Sequence, residues 1–302
     1  MSVDILPPAD DRIFKLLMTS PEAKLVLMDL ISATLQREVV DVVVRNNELP
    51  VTTTDEKAER FDVNCQLGDG TQVDIEMQAS HIEELSDEHH NLIGKSTYYL
   101  CDLHSSQPAR GVRRYEKLVQ TYQVTFCSYT IFPGIQEYVN SFSMRHDTTG
   151  MQLTDAIHAV FVELSKLRKI LEKPISEMTE LEKWSVFLRY ADSPGHREVV
   201  NDIIGTKEAL QMAGELLLSV SQDERERAVF RSRRMYQTDL ESNLATAEAR
   251  GEARGEARGR LEGLSTVVKN LLQENMPAEQ VARVTGLPID DVIRVAAEIE
   301  RK

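Results

Sequence analysis

Asp62, Glu76 and Gln78 flank a Gly68-Asp69-Gly70 turn, in two runs that alternate apolar and polar residues. Phe61, Val63, Cys65 and Leu67 interleave with Asp62, Asn64 and Gln66; Val73, Ile75, Met77 and Ala79 interleave with Asp74, Glu76 and Gln78. A period of two predicts half-buried strands, and the three-residue loop predicts a hairpin with Gly70 supplying the left-handed residue at its end. Pairing Leu67 with Thr71 keeps the apolar face continuous, with Cys65 opposite Val73, Val63 opposite Ile75 and Phe61 opposite Met77. The same register sets Asp62 opposite Glu76 and Asn64 opposite Asp74, with Gln78 on the Glu76 side. Facing carboxylates repel. A divalent cation removes the conflict, and Mg²⁺ held by carboxylates and phosphate oxygens can activate water against a phosphodiester. The alternative on these residues alone is the solvated face of an antiparallel sheet, where polar alternation is the norm.

The elements that must carry this hairpin are legible as types. Residues 11–35 read as helix, broken near Ser20-Pro21, with Ser20 expected as the cap of a second helix. The β-branched run 38–45 reads as a strand, 85–105 as a helix, and 119–132 as one or two strands. The order helix, three strands, helix, strand predicts an α/β domain over 1–145. A helical domain is expected over 146–245, and a repeat helix with a small helix-turn-helix-like tail over 246–302. The later part is therefore expected to be all-α.

The net charge of −14 argues against non-specific coating of nucleic acid, which depends on neutralising phosphates. The balance is uneven, however: 91–145 is locally basic, and Arg110, Arg113, Arg114 and Lys117 lie close together as a phosphate-facing patch. Three cysteines at wide spacings make neither a disulfide framework nor a zinc signature. No apolar run approaches the roughly 18 residues of a membrane helix, and the acidic start has no signal-peptide pattern. A cytoplasmic location is the expectation. His89-His90 are adjacent and so point apart, which disfavours a metal site there.

Several stretches resemble the PD-(D/E)XK nuclease superfamily, and within it the bacterial recombination-promoting nuclease and transposase family. They are DRIFKLL (11–17), EKAERFDV (56–63), IEMQ (75–78) and KSTYY (95–99), followed by FVELSK (161–166), EKWSVFL (182–188) and the tetrapeptide repeat. Each is short, but their order and spacing run through nearly the whole chain. The resemblance implies a restriction-endonuclease-like core and metal-dependent DNA endonuclease activity, with Mg²⁺ or Mn²⁺ as cofactor and DNA as partner. The family's aspartate falls on Asp62, its (D/E)XK element on Glu76-Met77-Gln78, and a further acid from the first helix on Asp11. Catalysis is thus expected from Asp62, Glu76 and Gln78, with the metal on Asp62, Glu76 and Asp11. Gln78 departs from the superfamily's lysine, although this family often carries glutamine there, and it removes a positive charge that would stabilise the transition state. Lys57 is the nearest candidate to supply that charge; Lys95, Arg113 and Arg114 are candidate phosphate contacts. The competing expectation is a catalytically silent DNA- or protein-binding module that keeps the fold.

Residues 247–258 read AEAR, GEAR, GEAR. A period of four on a helix makes drifting stripes, with Glu248, Glu252 and Glu256 on one and Arg250, Arg254 and Arg258 on another. Gly251, Gly255 and Gly259 weaken a lone helix by about 1 kcal/mol each relative to alanine. With Leu261, Leu264, Val268 and Leu271 at coiled-coil spacing, the segment suits a partner helix in a homo-oligomer; a flexible charged linker is the alternative. The tail places Gly286 at a turn, and its last helix holds Asp290, Asp291, Glu298 and Glu300, a poor match to a DNA recognition helix.

Overall fold

The computed structural model describes residues 4–45, 63–79, 86–107 and 115–300. Helix α1 (Asp11–Thr19) starts at Asp10, whose carboxylate accepts from the backbone N–H of Arg12 and Ile13 at 3.1 and 3.2 Å. Helix α2 (Lys24–Leu35) follows, with Gln36 in the left-handed conformation at its end. Ser20 and Pro21 lie in the turn between the two, and α2 starts after Ala23; the expected cap at Ser20 is corrected. Strand β1 (Val42–Val44) is shorter than the run 38–45 suggested. Next come β2 (Val63–Leu67), β3 (Gln72–Gln78), α3 (Ser86–Ser105), β4 (Thr121–Cys127), β5 (Val139–Ser143) and β6 (Ile157–Glu163).

Among the described residues these strands form one sheet in the order β1-β2-β3-β4-β6-β5. The outer pairs β1–β2, β2–β3 and β5–β6 are antiparallel, while β3, β4 and β6 run parallel at the centre. The expectation that the chain turns helical after residue 145 is corrected by β6, which lies between β4 and β5. Its core, Val160-Phe161-Val162, is a short continuous apolar run. A central parallel strand buried on both faces reads that way, and periodicity cannot tell it from a buried helix. Helices α4 (Glu180–Tyr190), α5 (Arg197–Ile204), α6 (Glu208–Gln222) and α7 (Glu224–Gln273) follow, then α8 (Ala278–Thr285) and α9 (Ile289–Glu300).

The hairpin adopts the register that the alternation demands: Val63 pairs with Ile75, Asn64 with Asp74 and Cys65 with Val73. Gly70 takes φ +93°, and Leu67 N–H donates to Thr71 O at 2.8 Å to close the loop. One face of the sheet is apolar and buries Val63, Ile75, Met77, Val124, Phe126, Val160 and Val162. Helices α1, α2 and α4–α6 join it in a single core, in which the Phe14 ring lies 6.1 Å from Phe126. Trp184, fully buried on α4, donates its indole N–H to Asp29 on α2 at 2.9 Å. At the other end of the core, Arg12 on α1 pairs with Glu226 through both carboxylate oxygens, at 2.8 and 2.9 Å.

The chain divides into two compact units, Met1–Phe230 and Arg231–Lys302. In the second, Val268 near the end of α7 is buried against Val281 of α8 and Val292 of α9. Gly286, left-handed at φ +72°, ends α8. Leu271 packs on the same cluster, so part of the expected intermolecular seam is used within the unit. Glu262 lies outside the tetrapeptide pattern and gives Arg258 an i,i+4 ion pair at 2.8 Å that the repeat itself does not offer. Among the described residues no helix is long and apolar enough to cross a membrane.

Candidate active site

The opposite face of the sheet is polar over β2, β3 and most of β4 and apolar at Cys127 and Phe161, yet its polar part is not solvated. Asn64, Asp74, Glu76, Thr121, Gln123 and Thr125 are all buried, with Glu76 4% exposed and Asp74 fully enclosed. Helix α3 covers this face and is fixed at two points. Near its middle the hydroxyls of Ser96 and Thr125 lie 3.3 Å apart. Beyond its C-terminus, the Gln107 side chain accepts from Val119 N–H at 2.9 Å and donates to Val119 O at 3.0 Å and to Thr121 Oγ1 at 2.8 Å. His104 Nδ1 lies 2.9 Å from the same threonine hydroxyl, and burial pulls its imidazole pKa down.

Glu76 sits on β3 with strands on both sides, paired with Thr125 in register. Its Oε2 accepts from Lys95 Nζ on α3 at 2.7 Å and from Gln78 Nε2 at 3.2 Å. Gln78 follows by two on the same strand and shares the face, and its amide oxygen is thereby turned away from the carboxylate. Lys95 Nζ lies 5.2 Å from the centre of the Tyr99 ring, one helical turn further on. A carboxylate taken out of water is costly unless a counter-charge and hydrogen bonds accompany it, and here both do. Glu76 and Gln78 also stand toward the C-terminal end of β3, where open α/β sheets place their ligands.

Of the residues singled out in the sequence, the structure brings together Glu76, Gln78 and Lys95. Asp11 is the first residue of α1, whose apolar side packs on the opposite sheet face through Phe14. Asp62, Lys57, Arg113 and Arg114 lie outside the described residues. Among the described residues no group of three or more His, Cys, Asp or Glu is placed to hold a metal. Sequence reading assigned Lys95 to phosphate and did not connect it to Glu76; the available signal was the Lys95/Tyr99 spacing of four on a helix. The buried thiols offer no nucleophile. Burial, with Asp74 adding to it, pushes Cys65 far above the usual thiol value, and burial with Glu163 does the same to Cys127.

The mixed α/β sheet thus carries a buried carboxylate with an amide and an ammonium converging on it at the strand end. The chain belongs to the PD-(D/E)XK nuclease family transposases, whose family model matches residues 8–247. Membership ties it to nuclease or transposase-related function. Comparison with curated proteins and with solved structures returned no match.

Proposed function

We propose that the chain is a metal-dependent DNA endonuclease with a restriction-endonuclease-like core, acting in recombination or transposition. The observation that supports this most is Glu76: a carboxylate on a central strand, buried among polar groups, with Lys95 and Gln78 on one of its oxygens.

The donor set suits a hard cation. Glu76 and, by expectation, Asp62 and Asp11 offer carboxylate oxygens, Gln78 an amide oxygen, and neither His nor Cys stands among them. Such a set favours Mg²⁺ or Mn²⁺ over zinc. When bound, the ion supplies Lewis-acid charge and a more acidic water. Asp62 belongs opposite Glu76 if the hairpin register continues by one residue beyond Val63–Ile75. Gln78 orients water or a phosphate oxygen through its amide. Lys57, Lys95, Arg113 and Arg114 draw the phosphate backbone toward the site. Self-association through α7 accompanies this reading.

One specific observation favours the second reading, a silent binding module: glutamine stands at 78 where the superfamily carries lysine. Cleavage of an end-labelled DNA duplex separates the two. The wild-type chain is expected to cut in Mg²⁺ or Mn²⁺ and not in EDTA, and Asp62→Ala is expected to lose about 100-fold or more. Duplex binding without cleavage under any divalent cation would leave the silent module.

A further inference from the structure

We propose that the edge strand β5 pairs antiparallel with β5 of a second copy of the chain, about a two-fold axis at Ser141. This goes beyond the endonuclease reading and does not depend on it. The two edges of the sheet differ. Strand β1 is three residues long and flanked by Asp41 and Arg45, the short and charged form that turns other strands away. Strand β5 reads Val139-Asn140-Ser141-Phe142-Ser143 and runs on into Met144 without a charge or a proline. An uncharged edge of that kind is a template for a further strand.

The direction of its backbone groups follows from its pairing with β6. Glu163 N–H donates to Tyr138 O at 2.7 Å, so Tyr138 faces β6 with its hydrogen-bonding groups. With a period of two, Asn140 and Phe142 do the same opposite Phe161 and Ala159. Val139, Ser141 and Ser143 then turn N–H and C=O to the open edge, where no other strand pairs with them among the described residues.

A two-fold pairing must match outward residues with outward residues. Centred on Ser141, it sets Ser141 against its own copy and Val139 against Ser143. One step further out at each end, it sets Glu137 against Arg145. Both are exposed, and among the described residues neither makes an ion pair; Arg145 donates to Ser143 Oγ and Gly150 O. The register is therefore charge-complementary at both ends. Moving the axis by one residue toward the C-terminus sets Glu137 against Asp147, and moving it the other way sets Arg145 against Ile135. On the α3 side, the inner part of the Phe142 ring meets Phe132 and Phe161 at 5.2 and 6.0 Å, while the residue stays 44% exposed. The axis brings the two Phe142 side chains to diagonal positions, within reach of each other. Strand β5 lies three strands from β3 in the sheet order, so the pairing uses neither Glu76 nor Gln78.

Sedimentation equilibrium of the full chain at low salt tests this, with Glu137→Arg, Arg145→Glu and the double reversal beside wild type. Wild type is expected to dimerise reversibly. Each single reversal sets like charges opposite one another at both ends and is expected to weaken the dimer about ten-fold or more. The double reversal restores opposite charges and is expected to return to within about three-fold of wild type. Mixing the two single variants is expected to give a heterodimer tighter than either homodimer, because one chain presents two arginines and the other two glutamates. A second probe does not depend on charge. In a Cys101→Ser background, Ser141→Cys is expected to form a covalent dimer under mild oxidation, because the Cα atoms of a hydrogen-bonded antiparallel pair lie about 5.5 Å apart. A wild-type chain that is monomeric at every concentration overturns the proposal. A dimer that the reversals leave unchanged belongs to another surface, α7 included, and overturns it too. A Ser141→Cys chain that gives no covalent dimer overturns the axis at Ser141 and the pairing with it.

Discussion

Helix α3 covers Glu76 and carries His104 in its own last turn. Glu76 carries a counter-charge; among the described residues His104 has a hydroxyl and an amide beside it, Thr121 Oγ1 at 2.9 Å and Gln107 Nε2 at 3.3 Å, and burial holds its pKa below the ordinary value. The neutral imidazole is thus favoured by folding. Its contribution is fully present above the unfolded value of about 6.5 and is lost as pH falls through that value toward the lower folded one. Thermal melts are expected to fall between about pH 7.5 and about pH 5.5, and His104→Gln is expected to reduce that fall. An identical pH dependence in that variant would show that other groups cause it. The side chains of the site were legible in type but not in partnership. Alternation put Glu76 and Gln78 on one face, whereas nothing in a local pattern links Glu76 to a lysine nineteen residues later.

Elements whose signals are local were readable. The hairpin register follows from the period of two together with Gly70, and α4 is bounded by a capping box in which Thr179 Oγ1 accepts from Glu182 N–H and Glu182 Oε2 accepts from Thr179 N–H. Thr179→Ala is expected to cost about 1 kcal/mol, a fall of about 2–4 °C in Tm for a unit of this size, with cleavage unchanged. A Tm equal to wild type would show that the cap contributes nothing beyond the α4 packing. Elements defined by what covers them were not readable. The polar face looks in sequence like a solvated one, because alternation reports the side on which a residue lies and not the helix α3 above it. Strand β6 was hidden for the converse reason, since a strand buried on both faces loses its alternation. On α7 the 3-4 spacing suggests an intermolecular seam, whereas Val268 and Leu271 of that spacing pack on α8 and α9 of the same unit.

At the scale of the whole molecule, the proposed DNA binding by an acidic chain of net charge −14 requires a local basic surface, because like charges repel. The long helix α7 carries the charged repeat well exposed, with Leu244 and Val267 also outward. Weak, salt-sensitive self-association is expected from it. Sedimentation checks this, since a chain ending at residue 245 should be less associated than the full chain at low salt. Equal states for the two would remove the role from the tail. The central claim is that Glu76 belongs to an endonuclease site, and plasmid nicking by wild type and Glu76→Ala in Mg²⁺, each shown by melting to be folded, tests it most directly. Nicking by wild type that EDTA abolishes, and that Glu76→Ala lowers by about 100-fold or more, is the expected result. A folded Glu76→Ala chain that nicks as fast as wild type would contradict it.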